Sequence, residues 1–232
     1  MGTLCRVQRM LKTRYTGDSE IEAGVDEVGR GCLWGPLVTG AVVWLPEDQW
    51  TEEIRDVAGR IKDSKKLTEK RRKEVAALIR THALDCAIGV VEPQEIDELG
   101  MTRANQTAFA RAVAQLTVPP TRLLVDGTIP LLLDDWSEEQ HTIIDGDALY
   151  LPIAAASIIA KVYRDTWVES WSKEHPEIAT KYSLTSSKGY GTAAHRNGIL
   201  THGIHPLHRR LFLRKILGEQ IYQSPHQYKL MD

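Results

Sequence analysis

The sequence predicts an α/β domain: a mixed five-stranded sheet with helices on both faces and a small helical extension at the C-terminus. Three observations lead there. Three apolar stretches come early on short connections, with one helix before the third, which predicts an antiparallel meander. Two later apolar stretches alternate with helical ones, which predicts parallel additions. The chain has 232 residues, 42% hydrophobic and 26% charged, which fits one large domain with an ordinary core.

Each element has a local reason. In Ile21-Glu-Ala-Gly-Val25 apolar residues recur at every second position, as on a half-buried strand. Residues 36–44 form a second strand, stopped by Pro46. Residues 47–60 are acidic with helical tendency. Thr68 is placed to cap a helix on which Val75, Leu78, Ile79 and His82 share a face. Residues 84–91 are a third strand, ended by Pro93. A long helix over 96–116 carries Ala104, Ala108, Phe109, Ala112, Val113 and Leu116 at helical spacing, and Pro119-Pro120 breaks the chain after it. Residues 123–126 and 141–144 are short strands. Pro152 opens a helix of small residues, Ala154-Ala-Ala-Ser-Ile-Ile-Ala160, which allows close approach to a sheet. It runs to Trp171, with Pro176 as its outer limit. From Tyr182 the chain is rich in Gly, His and Arg, with a short helix over 207–217.

Composition narrows the setting. A net charge of −2 neither supports nor excludes a polyanionic partner, since distribution matters more than the sum. Cys5, Cys32 and Cys86 are odd in number and widely spaced, which argues against a disulfide framework and suits a reducing cytoplasm. No signal core and no apolar run long enough to span a bilayer is present, so a soluble, cytoplasmic protein is expected.

Four acids share one kind of position. Asp26, Glu27, Asp126 and Asp147 each end an apolar stretch beside glycine. Sites gather at such strand ends in α/β folds. Neighbours on a regular strand point to opposite faces, so Asp26 and Glu27 serve one site only if the flanking glycines bend the backbone. Carboxylates brought together repel unless a cation compensates them. Four of them suit two Mg²⁺ ions about 3.5–4 Å apart, a geometry for in-line phosphoryl displacement. Asp165 competes as a fourth acid, with a salt bridge as its plainer explanation. His202, His205 and His208 are three apart, but Pro206 breaks the helix that would align them on zinc.

Several segments together resemble bacterial ribonuclease HII: Asp26-Glu-Val-Gly-Arg-Gly31, Asp63-Ser-Lys-Lys-Leu67, Val125-Asp-Gly127, Gly146-Asp147, Ala154 through Val162 with Arg164-Asp165, and Lys188-Gly-Tyr-Gly-Thr192 with His195. The resemblance implies an RNase H-like fold and a metal-dependent endoribonuclease with Asp26, Glu27, Asp126 and Asp147 as catalytic and metal-binding acids. It implies Mg²⁺ or Mn²⁺, two ions with substrate bound. The substrates implied are RNA–DNA hybrids and duplex DNA with a single ribonucleotide, cut 5′ of the ribonucleotide to leave 3′-hydroxyl and 5′-phosphate ends. The Gly29-Arg30-Gly31 backbone would sense the 2′-hydroxyl in the minor groove, where any Cβ would intervene. Tyr190 would stack on the deoxyribose at the junction. Lys65 is expected to contact phosphate because it lies in a matched segment, and Lys161 and Arg164 are further candidates.

On this reading residues 1–19 are a flexible lead-in, 20–198 the catalytic domain, and 199–232 a helical extension contributing to substrate binding. A monomer is expected, with no clear sliding-clamp motif over 220–232. The related ribonuclease HIII would need an N-terminal domain, for which the lead-in is too short. A hybrid-binding module without turnover is the alternative, opposed by the four intact acids. Two positions depart from the family pattern: Asp145 stands where Lys is usual, and Leu211 where Ser is usual.

Overall fold

The structure, a computed structural model, describes residues 11–61, 64–131 and 139–218, with only the backbone of Lys66. Cys5, the first ten residues of the lead-in, Asp63 and the tail over 220–232 lie outside the described residues.

The strands are β1 (Glu22–Val28), β2 (Leu37–Val43), β3 (Asp85–Val91), β4 (Arg122–Asp126) and β5 (Glu139–Ile143), in the sheet order β3-β2-β1-β4-β5. The first three form the antiparallel meander, and β4 and β5 add in parallel. The helices are α1 (Glu52–Arg60), α2 (Glu69–His82), α3 (Pro93–Ala114), α4 (Leu151–Glu174), α5 (Pro176–Lys181), α6 (Leu184–Ser187), α7 (Ala193–His202) and α8 (Arg210–Leu217). Thr68 caps α2 by accepting the Arg71 N–H, as its position predicts.

α4 lies on one face of the sheet and the apolar stripe of α3 on the other. A Cβ at Gly24 would stand 2.2 Å from the Pro152 carbonyl carbon, and one at Gly40 2.4 Å from the Ala156 carbonyl oxygen. Glycine in the strands and alanine in the helix thus let the two backbones nearly touch. Across the sheet, Ala23, Val25 and Ala41 pack on Phe109, Ala112 and Val113 of α3. α1 and α2 complete the α4 side through Ile54, Val57, Val75 and Ile79.

Three features depart from expectation. α3 begins at Pro93, which stabilises a first turn because its missing N–H is not needed there, and Gly100 breaks the helix with φ 74° and ψ 159°. α5, α6 and the start of α7 lie over 176–198, where the sequence marked no helix. Their burial comes from Leu33, Trp34 and Val168, residues remote in sequence, so the segment carries little periodicity of its own. Residue 198 falls inside α7, and Ile199 and Leu213 share a core with Trp34.

Candidate active site

β1 runs without a break through Val28, pairing Asp26 with Gly40 and Glu27 with Thr39. The bend expected at Asp26 and Glu27 does not occur, because antiparallel pairing to β2 continues on both sides of them. Alternation puts Asp26 on the α4 face, like Gly24, and Glu27 on the α3 face, yet both carboxylates feel the charge of Asp126, so they meet at the strand end without the bend that the sequence was expected to need. Asp126 ends β4 and shares the α4 side with Leu124, which packs on Ile153 and Tyr150. Asp147 lies in the 3-10 turn Gly146–Ala148 that leads into α4.

Local donors hold these carboxylates. Asp26 Oδ1 accepts the Glu27 N–H at 2.7 Å, and the nearby Ser157 hydroxyl favours the charged form of the same carboxylate. Asp126 Oδ1 accepts the Gly146 N–H at 2.7 Å. Lys65 Nζ lies 3.6 Å from Asp147 Oδ2, and Arg30 Nη1 3.6 Å from Glu27 Oε1. The segment bearing Lys65 is tied down by Ser64, whose hydroxyl oxygen is 3.1 Å from that of Ser157, and by Arg72, which donates to the Ser64 and Leu67 carbonyls. Ser157 was not foreseen; its one trace in the sequence is a single hydroxyl within the small-residue stretch Ala154-Ala-Ala-Ser-Ile-Ile-Ala160.

Burial, and then the charge of Asp126, raises the Asp26 carboxyl well above its ordinary range. Burial raises Glu27, with Arg30 opposing and Asp126 adding to the rise. Burial and Asp147 raise Asp126, against the Gly146 N–H. The cluster is short of positive charge, and its donors are all hard oxygens. That fits Mg²⁺ or Mn²⁺. Among the described residues no three His, Cys, Asp or Glu side chains are already arranged to hold an ion. Carboxylates that repel do not gather on their own, and Mg²⁺ binds through one or two of them, with water and substrate oxygens completing its shell.

Next to the acids, a Gly-Arg-Gly turn and a tyrosine turn run side by side. Cys32 pairs with Tyr190 in an isolated antiparallel bridge, and the Leu33 N–H donates to the Gly189 carbonyl at 2.9 Å. Tyr190 is 38% exposed, which leaves ring surface for a ligand.

The chain matches the family described as Ribonuclease HII over residues 23–215. The chain belongs to the ribonuclease HII family. It is an endoribonuclease of the RNase H type, from a family that acts on RNA–DNA hybrids. It is 48% identical to Ribonuclease HII of Trichodesmium erythraeum over 195 residues, covering 84% of this chain and 87% of that one. It is 41% identical to Ribonuclease HII of Parabacteroides distasonis over 208 residues, covering 89% and 96%. The crystal structure of ribonuclease H2 from Pyrococcus horikoshii superposes with a TM-score of 0.67 at 29% identity, covering 87% of this chain and 99% of that one. Bst-RNase HIII in complex with Mn²⁺ shares the fold, with a TM-score of 0.57 at 19% identity over 79% and 70% of the chains.

The remaining ribonuclease HII residues sort by burial. Lys161 donates to Asp165 at 2.7 Å, and its ammonium sits 5.5 Å from the Tyr190 ring centroid. Asp165 is buried and paired with Lys161 and Arg72, the salt bridges that its plainer explanation expects. Arg164 is fully buried and donates to three backbone carbonyls, so it is no phosphate contact. Arg209, also fully buried, was not foreseen. Gly29 has φ +88°, and a Cβ there would meet Arg164 Nε at 2.3 Å. Its need for glycine is therefore internal, whereas Gly31 has nothing within 4 Å and is the open member of the turn.

Both departures from the ribonuclease HII pattern have local accounts. Asp145 is exposed with φ 53° and ψ 38°, left-handed backbone that a short polar side chain tolerates better than lysine does. Leu211 lies in the first turn of α8, where Asp97 of α3 accepts the Arg210 and Leu211 N–H groups at 2.9 and 3.0 Å whatever side chain stands at 211.

Proposed function

We propose that the chain hydrolyses the RNA strand of RNA–DNA hybrids and cuts 5′ of single ribonucleotides in duplex DNA, with Asp26, Glu27, Asp126 and Asp147 as metal-binding catalytic acids. The observation that carries this reading is the convergence of Asp26, Asp126 and Asp147 on the α4 side of the sheet, where burial and mutual charge leave them short of a cation. Bst-RNase HIII, of the same fold, has a structure with Mn²⁺. Bound divalent ions would supply the Lewis-acid activation of water and the charge neutralisation that phosphodiester cleavage needs.

The protein's own groups do the rest. The Glu27 N–H holds Asp26 Oδ1 and the Gly146 N–H holds Asp126 Oδ1, so both carboxylates are oriented before any ion arrives. Lys65, 83% exposed at its side chain beside Asp147, is placed to meet a phosphate next to the acids. Gly31 brings bare backbone to the ribose, and Tyr190 stacks on the following deoxyribose. Lys161 lies against the Tyr190 ring and adds positive charge on that side. The helices over 199–217 support this surface from behind. Among the described residues no helix is long and apolar enough to cross a membrane, and Cys32 and Cys86 are free thiols, which supports the cytoplasm as its place.

The test is cleavage of a DNA duplex carrying one ribonucleotide, with Mg²⁺ and with chelator. Cleavage 5′ of the ribonucleotide that chelator abolishes and Mg²⁺ or Mn²⁺ restores is expected, with Asp26→Asn and Asp126→Asn folded but inactive. Full activity in chelator would end the reading. Tyr190→Ala should cut kcat/KM on this substrate about tenfold, or about 1.4 kcal/mol, and less on a continuous hybrid.

A further inference from the structure

Two arginines lie fully buried behind the substrate-facing surface, and among the described residues neither makes an ion pair. Arg164 donates from Nε to the Pro36 carbonyl at 2.9 Å, from Nη1 to Lys188 at 2.8 Å and from Nη2 to Trp34 at 2.8 Å. Arg209 donates from Nε to Gly35 at 2.9 Å, and from Nη1 to Gly29 at 2.6 Å and Arg30 at 3.2 Å. All six acceptors are backbone carbonyls of two segments, the turn over 29–36 and the tyrosine turn at 188. Burial pulls the Arg209 guanidinium down to about 10, still cationic at neutral pH.

Such an arrangement is costly. Buried cations without anions pay desolvation that hydrogen bonds offset only in part. Arg209 Nη2 is in addition buried with no hydrogen-bond partner among the described residues. Stability alone would favour apolar side chains here. What the arginines do uniquely is hold carbonyls in a rigid planar fork: Arg209 ties Gly29 and Arg30 to Gly35 within the first turn, and Arg164 ties Trp34 and Pro36 at the end of that turn to Lys188 of the tyrosine turn. The surrounding glycines are cut to fit: a Cβ at Gly29 would meet Arg164 Nε at 2.3 Å, and one at Gly189 would meet the Trp34 carbonyl at 2.6 Å. Backbone bonds cross-link the same pieces, from Leu33 N–H to Gly189, Gly35 N–H to Leu207 and Arg209 N–H to Leu33.

We propose that Arg164 and Arg209 are positioning residues for substrate selection: the two buried guanidiniums lock the Gly-Arg-Gly turn and the Tyr190 turn into one unit, fixing the distance between the group that reads the ribose and the group that reads the next sugar. This rests on the junction-reading role given above to Gly31 and Tyr190. Carbonyls pulled inward free the outer backbone of both turns for substrate, and the two buried cations lend positive potential to a surface that meets phosphates.

The test compares wild type, Arg164→Lys, Arg209→Lys, Tyr190→Ala and the double variant Arg164→Lys/Tyr190→Ala. Lysine keeps the charge and loses the fork. The readout is the ratio of kcat/KM on a single embedded ribonucleotide to that on a continuous hybrid. Each lysine variant should lower that ratio about fivefold or more, and the double variant should be no lower than Tyr190→Ala alone, since both act through one ring. If Tyr190→Ala leaves the ratio unchanged, the junction reading itself fails. If Tyr190→Ala lowers the ratio and the lysine variants scale both substrates equally, the junction reading stands and the positioning proposal is overturned. Amide hydrogen exchange on the wild-type protein tests the same unit without relying on any variant to fold. The Leu33, Gly35 and Arg209 amides should open together with one free energy, and clearly separate openings would overturn the proposal.

Discussion

His195 and His208 meet Nε2 to Nε2 at 3.0 Å in the interior behind the tyrosine turn. His208 Nδ1 accepts the His205 N–H at 2.8 Å, so the His208 proton sits on Nε2 and points at His195. The His195 proton then sits on Nδ1 and goes to the Tyr190 carbonyl at 3.0 Å. A second proton on either ring would face another N–H. The same bonds occupy both ring nitrogens of His208, which a zinc site on His202, His205 and His208 would need.

A pH dependence follows from this pair. Burial pulls His208 down to about 3, with the neighbouring His195 and His205 adding to the fall, and burial lowers His195 as well. The folded value lies below the unfolded one, so the unfolded chain takes up more protons as pH falls below about 6.5. The stabilisation is complete above that pH and is lost as pH falls toward 3, on the order of 2–3 kcal/mol by pH 4.5 for His208. Urea unfolding of wild type and His208→Gln between pH 4.5 and 7.5 should show their difference in stability shrinking toward low pH. A constant difference would refute the neutral pair.

The acids should show the opposite slope. Burial and like charge raise Asp26, so its ionisation costs stability as pH rises through the folded value. In chelator at neutral pH, Asp26→Asn should melt higher than wild type by a few degrees, at about 2–4 °C per kcal/mol for a chain of this size. Added Mg²⁺ should raise the wild-type Tm more than the variant's. A lower Tm for Asp26→Asn in chelator would mean that the carboxylate is already compensated within the fold.

Gly29 and Gly31 should separate by readout. Gly31→Ala adds a methyl group into open space and should leave stability within about 0.5 kcal/mol, yet lower kcat/KM on an embedded ribonucleotide at least about tenfold. Gly29→Ala meets Arg164 and a positive φ, so its first effect should be a fall in Tm. Full activity of Gly31→Ala would remove this turn from the ribose.

Lys65 is testable by salt. If it meets a phosphate, Lys65→Ala should weaken hybrid binding and reduce the slope of log affinity against log salt by roughly one. An unchanged slope would place Lys65 outside the nucleic-acid interface.

The sequence by itself determined the sheet and the placement of four acids at or just beyond its strand ends. A period-two apolar stretch marks β1, a short continuous one ending in Asp-Gly marks β4, and an alanine-rich stretch marks the helix that can lie against glycines in the sheet. These are local properties of neighbouring residues, so they are legible without coordinates. Tertiary structure alone decided which side each acid faces, since β1 stays straight only because β2 and β4 pair along it. It alone turned Arg164 from a surface phosphate ligand into a buried support, because the carbonyls that bind it come from residues 34, 36 and 188. It alone ordered α5 to α7, whose apolar partners are Trp34 and Val168. Burial against remote residues leaves no period in the local sequence, and for that reason the support of the site was hidden while its acids were not.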